Sequence, residues 1–88
     1  MNWELRVSRE AEKFVAKNRL EPKEIRELIA KAVRYFHGED INVDMKKLKG
    51  KWAGFYRIRS GRMRIIAEFD FHDMTVFVEE IDWRGNVY

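Results

Sequence analysis

The stretch Gly54-Phe55-Tyr56-Arg57-Ile58-Arg59-Ser60-Gly61-Arg62-Met63-Arg64-Ile65-Ile66 is two alternating runs joined by Ser-Gly. Two such runs around a short Gly-containing loop predict a β-hairpin, because Gly takes the positive φ that a tight primed turn needs. With Ser60 and Gly61 as the loop, Arg59 faces Arg62, Ile58 faces Met63, Arg57 faces Arg64 and Tyr56 faces Ile65. Side chains alternate along a strand, so the four arginines share one face and the apolar residues the other. Like charges directly opposite one another repel. The pattern therefore implies that something outside the chain takes up these charges.

The charge distribution along the chain points the same way. Residues 1–44 hold nine basic and nine acidic residues. Residues 45–67 hold eight basic residues (Lys46, Lys47, Lys49, Lys51, Arg57, Arg59, Arg62 and Arg64) and no acidic one, and residues 68–88 hold six acidic and one basic. A basic block inside a nearly balanced chain suggests contact with a polyanion, most often nucleic acid. The competing reading is a solvated Lys/Arg edge strand that blocks aggregation, which suits the lysines better than the arginines.

Eighty-eight residues suffice for one domain, spanning 1–88, with a single core. Without cysteine there is no disulfide framework and no thiolate chemistry. The sequence has no apolar run long enough for a membrane span and no signal-peptide pattern at its start, so a cytoplasmic protein is expected.

Working back toward the N-terminus, Trp3, Leu5 and Val7 alternate with Glu4 and Arg6 as a first strand with one buried face. Ser8 is an N-cap, with Glu10 and Glu12 in the following turn, and the helix runs to about Lys17. Pro22 opens a second helix in which Ile25, Leu28, Ile29, Ala32, Val33 and Phe36 form one apolar stripe, and Gly38 ends it. Ile41, Val43 and Met45 alternate, and Leu48 is an apolar anchor among lysines. Toward the C-terminus, Glu68-Phe69-Asp70-Phe71 continues the second hairpin strand, His72-Asp73 closes another tight turn, and Met74 to Ile81 returns as a further strand. Glu79 falls on the arginine side. The expected fold class is α+β, an antiparallel β-sheet packed against an N-terminal two-helix hairpin in the order βαα-βββ. Its core contains Phe14, Leu28, Ile29, Val33, Ile58, Ile65, Phe69 and Val76.

The chemistry permitted by these residues is narrow. His37 and His72 lack partners at metal-ligand spacing, so neither a metal nor another cofactor is expected. Gly-rich phosphate loops and Ser-His-Asp order are missing as well. What remains is a set of guanidiniums with phenols and indoles close by. Arginine forks match phosphate oxygens and stay charged, so they can hold a phosphodiester and stabilise its transition state. With RNA the substrate's own 2′-hydroxyl can be the nucleophile. A tyrosine among arginines has its pKa lowered and could act as base, although spacing alone leaves Tyr88 equally readable as a frayed end.

The order of elements, together with Leu48-Lys49-Gly50, Gly54-Phe55-Tyr56-Arg57-Ile58-Arg59, Gly61-Arg62-Met63-Arg64-Ile65-Ile66 and Trp83-Arg84-Gly85-Asn86-Val87-Tyr88, resembles the RelE/ParE toxin superfamily across essentially the whole chain. The resemblance implies a toxin of a type II toxin–antitoxin system that cuts mRNA in the ribosomal A site without a metal. On that likeness Arg57, Arg59, Arg64 and Arg84 are catalytic cations and Tyr88 is the general base. Lys46, Lys47, Lys49, Lys51 and Arg62 are candidates for contact with mRNA and rRNA. The implied partner is a small cognate antitoxin, and no membrane or small-molecule cofactor is involved. Two departures stand out: RelE-type mRNA cutters often carry lysines where this chain has Arg57 and Arg59, and the chain stops at Tyr88 without the C-terminal helix of some members. The alternatives are a ParE-like inhibitor of DNA gyrase and a non-catalytic antitoxin-binding or RNA-binding module.

Overall fold

A computed structural model describes residues 3–83. Strand β1 (Glu4–Val7) runs into Ser8, which closes it and caps the first helix. The Ser8 hydroxyl accepts the Ala11 N–H at 3.1 Å and donates to the Glu79 carbonyl at 2.6 Å, so one side chain ties the helix start to the far end of the sequence. Helix α1 (Arg9–Lys17) ends with Arg19 at φ +54, while Leu20 N–H donates to the Val15 carbonyl at 3.0 Å and Arg19 N–H to Ala16 at 3.2 Å. This is the Schellman arrangement with arginine where glycine is usual. Helix α2 (Pro22–Phe36) starts on Pro22 as expected and ends in the same motif with Gly38 at φ +87. There Glu39 N–H donates to Arg34 and Gly38 N–H to Tyr35.

The remaining elements are β2 (Asp44–Lys47), a single 3-10 turn (Gly50–Trp52), β3 (Phe55–Ser60), β4 (Met63–Asp70) and β5 (Thr75–Trp83). The sheet order is β1-β5-β4-β3-β2. Two features add to the expected fold. The alternation around Met45 is a real edge strand, antiparallel to β3, and β1 lies beside β5 in parallel, so the sheet is mixed rather than wholly antiparallel.

The hairpin forms, but in a different register. Its loop is Gly61-Arg62, and Ser60 pairs with Met63 inside the ladder. Gly61 has φ +59 and Arg62 has no positive φ, as in a type II′ turn, which places glycine first in the loop rather than last. Partners therefore shift by two: Ile58 faces Ile65, Tyr56 faces Ala67, Arg59 faces Arg64 and Arg57 faces Ile66. An even shift preserves the faces, so Arg57, Arg59 and Arg64 stay opposite the apolar side, whereas Arg62 moves from the strand into the turn. The second turn is also longer than expected. Residues 71–74 join Asp70 to Thr75, with the Asp73 N–H donating to Asp70 Oδ1 at 3.0 Å and Met74 at φ +54.

Between β4 and β5 the ladder jumps from Ile66–Glu80 to Ala67–Val78, leaving Glu79 as the extra residue of a β-bulge. The alternation of β5 reverses there. Val76 and Val78 before the bulge and Ile81 after it all enter the core under the helices, with Trp83 packed against it. That core also takes Ala11, Ile25, Leu28, Ile29, Ala32, Val33, Ile58, Met63, Ile65, Ala67 and Phe69. Every expected core residue is there, Phe14 half-buried with its ring 5.2 Å from that of Trp83. Among the described residues no helix is long and apolar enough to cross a membrane.

Candidate functional site

The sheet face away from the helical core carries two adjacent rows of side chains. Following the pairing across β2, β3, β4 and β5, the first row is Asp44, Arg59, Arg64 and Asp82, and the second is Lys46, Arg57, Ile66 and Glu80. Ile66 is fully buried yet lies outside the core cluster under the helices. Its neighbours on this face are Arg57 and Glu80 across the ladder and Arg64 and Glu68 along the strand. It is an apolar floor bordered by long charged side chains, whose methylene stems cover such surface while their heads reach outward.

The arginines are held low on the face. Arg64 is buried, and the Arg57 and Arg59 side chains are 13% and 27% exposed. Arg57 Nη2 donates to Asp44 Oδ1 at 3.3 Å and Arg59 Nε to Asp44 Oδ2 at 3.0 Å. One edge-strand carboxylate thus bridges two guanidiniums. The Nε–H of Arg57 is buried and meets no hydrogen-bond acceptor among the described residues. A buried donor in that condition carries a desolvation penalty until an acceptor arrives.

Acidic groups border the other side. Asp82 stands opposite Arg64, and its Oδ1 accepts the Trp83 N–H at 2.7 Å. The Glu80 carboxyl titrates above its ordinary value, chiefly through burial and then through the negative charges of Glu79 and Asp82, with Lys51 opposing the shift. Burial and like charge both disfavour the ionised form.

The sequence-predicted residues therefore divide. Arg57, Arg59 and Arg64 come together, with Lys46 beside Arg57. Lys47 faces Tyr56, on the helix side of the sheet; Lys49 and Lys51 flank and occupy the 3-10 turn, and Arg62 is exposed in the hairpin loop. Arg84 and Tyr88 lie outside the described residues. Asp44, Glu80 and Asp82 were missed. Asp44 was legible in principle, since it is out of phase with Val43 and Met45 and must share a face with the arginines. The Glu79-Glu80 doublet between Val78 and Ile81 was the trace of the bulge that aims Glu80 and Asp82. The expectation that all the arginine charge awaits an external partner is corrected, because Asp44 already meets Arg57 and Arg59.

Comparison with solved structures places this architecture. Over 96% of its length the chain matches 100% of a chain in the RelBE2 toxin–antitoxin complex from Mycobacterium tuberculosis, with TM-score 0.62 and 24% identity. It also matches the archaeal RelE–RelB complex from Pyrococcus horikoshii over 99% of its length and 100% of that chain (TM-score 0.61, 20% identity). The Escherichia coli DinJ–YafQ toxin–antitoxin complex is matched over 100% and 99% (TM-score 0.68, 12% identity). The chain has the RelE-like toxin fold. No protein-family model and no curated protein matches the sequence. In RelE-like terms, the two rows of charged side chains are borne by β2 to β5, on the sheet face that the helices leave open.

Proposed function

We propose that this protein is the toxin of a type II toxin–antitoxin pair and acts as a ribosome-dependent mRNA endonuclease in the cytoplasm. The observation that carries the reading is the set Arg57, Arg59 and Arg64 on two adjacent rows of the open face, over the buried floor of Ile66. Three fixed guanidiniums around an apolar floor can take a phosphodiester through paired N–H donors. As the 2′-hydroxyl attacks phosphorus, charge builds on the equatorial oxygens and donors already in position stabilise it without reorganising. Tyr88, as phenolate, takes the 2′ proton as general base, Arg84 adds a fourth cation, and the P–O5′ bond breaks with the 5′ oxygen taking a proton from water, leaving a 2′,3′-cyclic phosphate. Lys46, Lys47, Lys49, Lys51 and Arg62 contact the rest of the mRNA and rRNA. The partner is a cognate antitoxin, a role supported by the toxin–antitoxin complexes among the solved neighbours.

The test is single-turnover cleavage of A-site mRNA on programmed ribosomes. The parent protein is expected to cleave, and Tyr88→Phe, which keeps the ring and removes the phenolic oxygen, to slow cleavage about 10²–10⁴-fold with little change in ribosome binding. Parent-like cleavage by Tyr88→Phe removes the base assignment. A parent protein that arrests growth without cutting mRNA, and inhibits gyrase instead, transfers the reading to the ParE-like alternative.

A further inference from the structure

The Asp44 carboxylate does something that catalysis by the arginines does not require. Its two oxygens reach two different guanidiniums, Oδ1 to Arg57 Nη2 and Oδ2 to Arg59 Nε, as two non-bridging oxygens of a phosphate would. The arginines are rigidly placed on the internal strand β3, whereas Asp44 sits on the edge strand β2 with a side chain 52% exposed. Because the carboxylate is half-exposed on an edge strand, its release would need only a side-chain rotation into water, with the guanidiniums and the backbone left in place. The contact also has a clear benefit for the empty protein. Arg57 and Arg59 project from the same face of one strand with Arg64 beside them, and one shared counter-charge relieves their repulsion.

We propose that Asp44 is an internal competitor for the anion seat formed by Arg57 and Arg59, which admits a phosphate group only when the carboxylate is released. Asp44 thereby sets the affinity of the site. It lowers the response to isolated anions and favours a polyphosphate chain that engages Arg64 and the flanking lysines at the same time. The inference rests on the reading of this face as an RNA phosphate site, and the experiment separates the two.

Binding of pyrophosphate is followed through the arginine Nε–H resonances, and binding of a short 2′-O-methylated oligoribonucleotide through fluorescence anisotropy, for the parent, Asp44→Asn and Glu68→Gln. Glu68 carries the same charge on the same face but touches neither arginine in the pairing scheme. Asp44→Asn is expected to tighten both ligands by about three- to tenfold, the range set by losing two partly exposed ion pairs. Glu68→Gln should change affinity less than about twofold through general charge alone. The gain should vanish in an Arg57→Ala/Arg59→Ala background, and Asp44→Asn should unfold at a lower temperature than the parent. Unchanged or weaker pyrophosphate binding by Asp44→Asn overturns the proposal, since a merely positioning carboxylate would give that result. If pyrophosphate binding tightens while no variant binds RNA, the competitor role stands and the RNA reading falls. If RNA binding depends on Arg57 but not on Asp44, the reverse holds.

Discussion

Arg64 stands between a like charge, Arg59, and an opposite one, Asp82, and it is the most enclosed of the three described arginines of the site. On a strand with neighbours on both sides, its guanidinium has little freedom to lose when a substrate arrives. Arg64→Ala is expected to slow single-turnover cleavage on the order of 10²–10³-fold, the scale of one lost transition-state donor. Arg64→Lys, which keeps the charge but not the planar fork, should recover only part of that loss. Glu80 gives a test in stability instead. Its carboxyl is raised in the folded protein, so the folded state binds more protons than the unfolded one and stability falls as pH rises through the interval between the two values. Glu80→Gln should therefore be more stable than the parent at neutral pH, and the difference should close in acid once Glu80 is protonated in both states. Urea unfolding across that pH range measures it. At this scale the arginines were legible from alternation alone. Asp44 had the phase of the same face, but which arginines it and Asp82 stand beside is set by strand pairings that join distant parts of the chain.

The helices followed their local signals closely, since Ser8, Pro22 and Gly38 each act through the backbone of their own segment. The strands followed theirs less well. The faces of the hairpin were right because parity survives a shift of two, yet the register was wrong because the choice between Ser60-Gly61 and Gly61-Arg62 depends on which loop position holds the positive φ. The bulge at Glu79 has no local signal beyond a doublet of acids, and it decides whether Ile81 or Glu80 enters the core. A testable weakness lies at the end of α1, where Arg19 occupies the left-handed position that its counterpart in α2 fills with glycine. An L side chain there costs about 1–2 kcal/mol, partly offset by the extra freedom glycine has when unfolded. Arg19→Gly should stabilise the protein by about 0.5–1 kcal/mol, seen as a higher urea midpoint with an unchanged slope.

For the whole molecule, the concentration of cations on the open face makes binding a counterion problem. If the face and its flanking lysines engage about four to six phosphates, the affinity for single-stranded RNA should fall with a log–log salt slope of roughly 0.7 per contact. A flat salt dependence would remove nucleic acid as the ligand. The overall architecture was readable because the α2 stripe and the shared parity of the strands demand one helical layer on one sheet face. The place of β1 was not, as four residues alternating in one sense fit either edge. Its actual partner is β5, and the Ser8 hydroxyl fastens the join across a separation of 71 residues. During synthesis from the N-terminus, Leu5 and Val7 emerge long before the strand that will receive them. The helices made next have only the β2–β4 part of the sheet to cover until β5 has been added. A chain interrupted before residue 75 therefore lacks the strand that unites its two ends, and the complete fold is reached only late in synthesis.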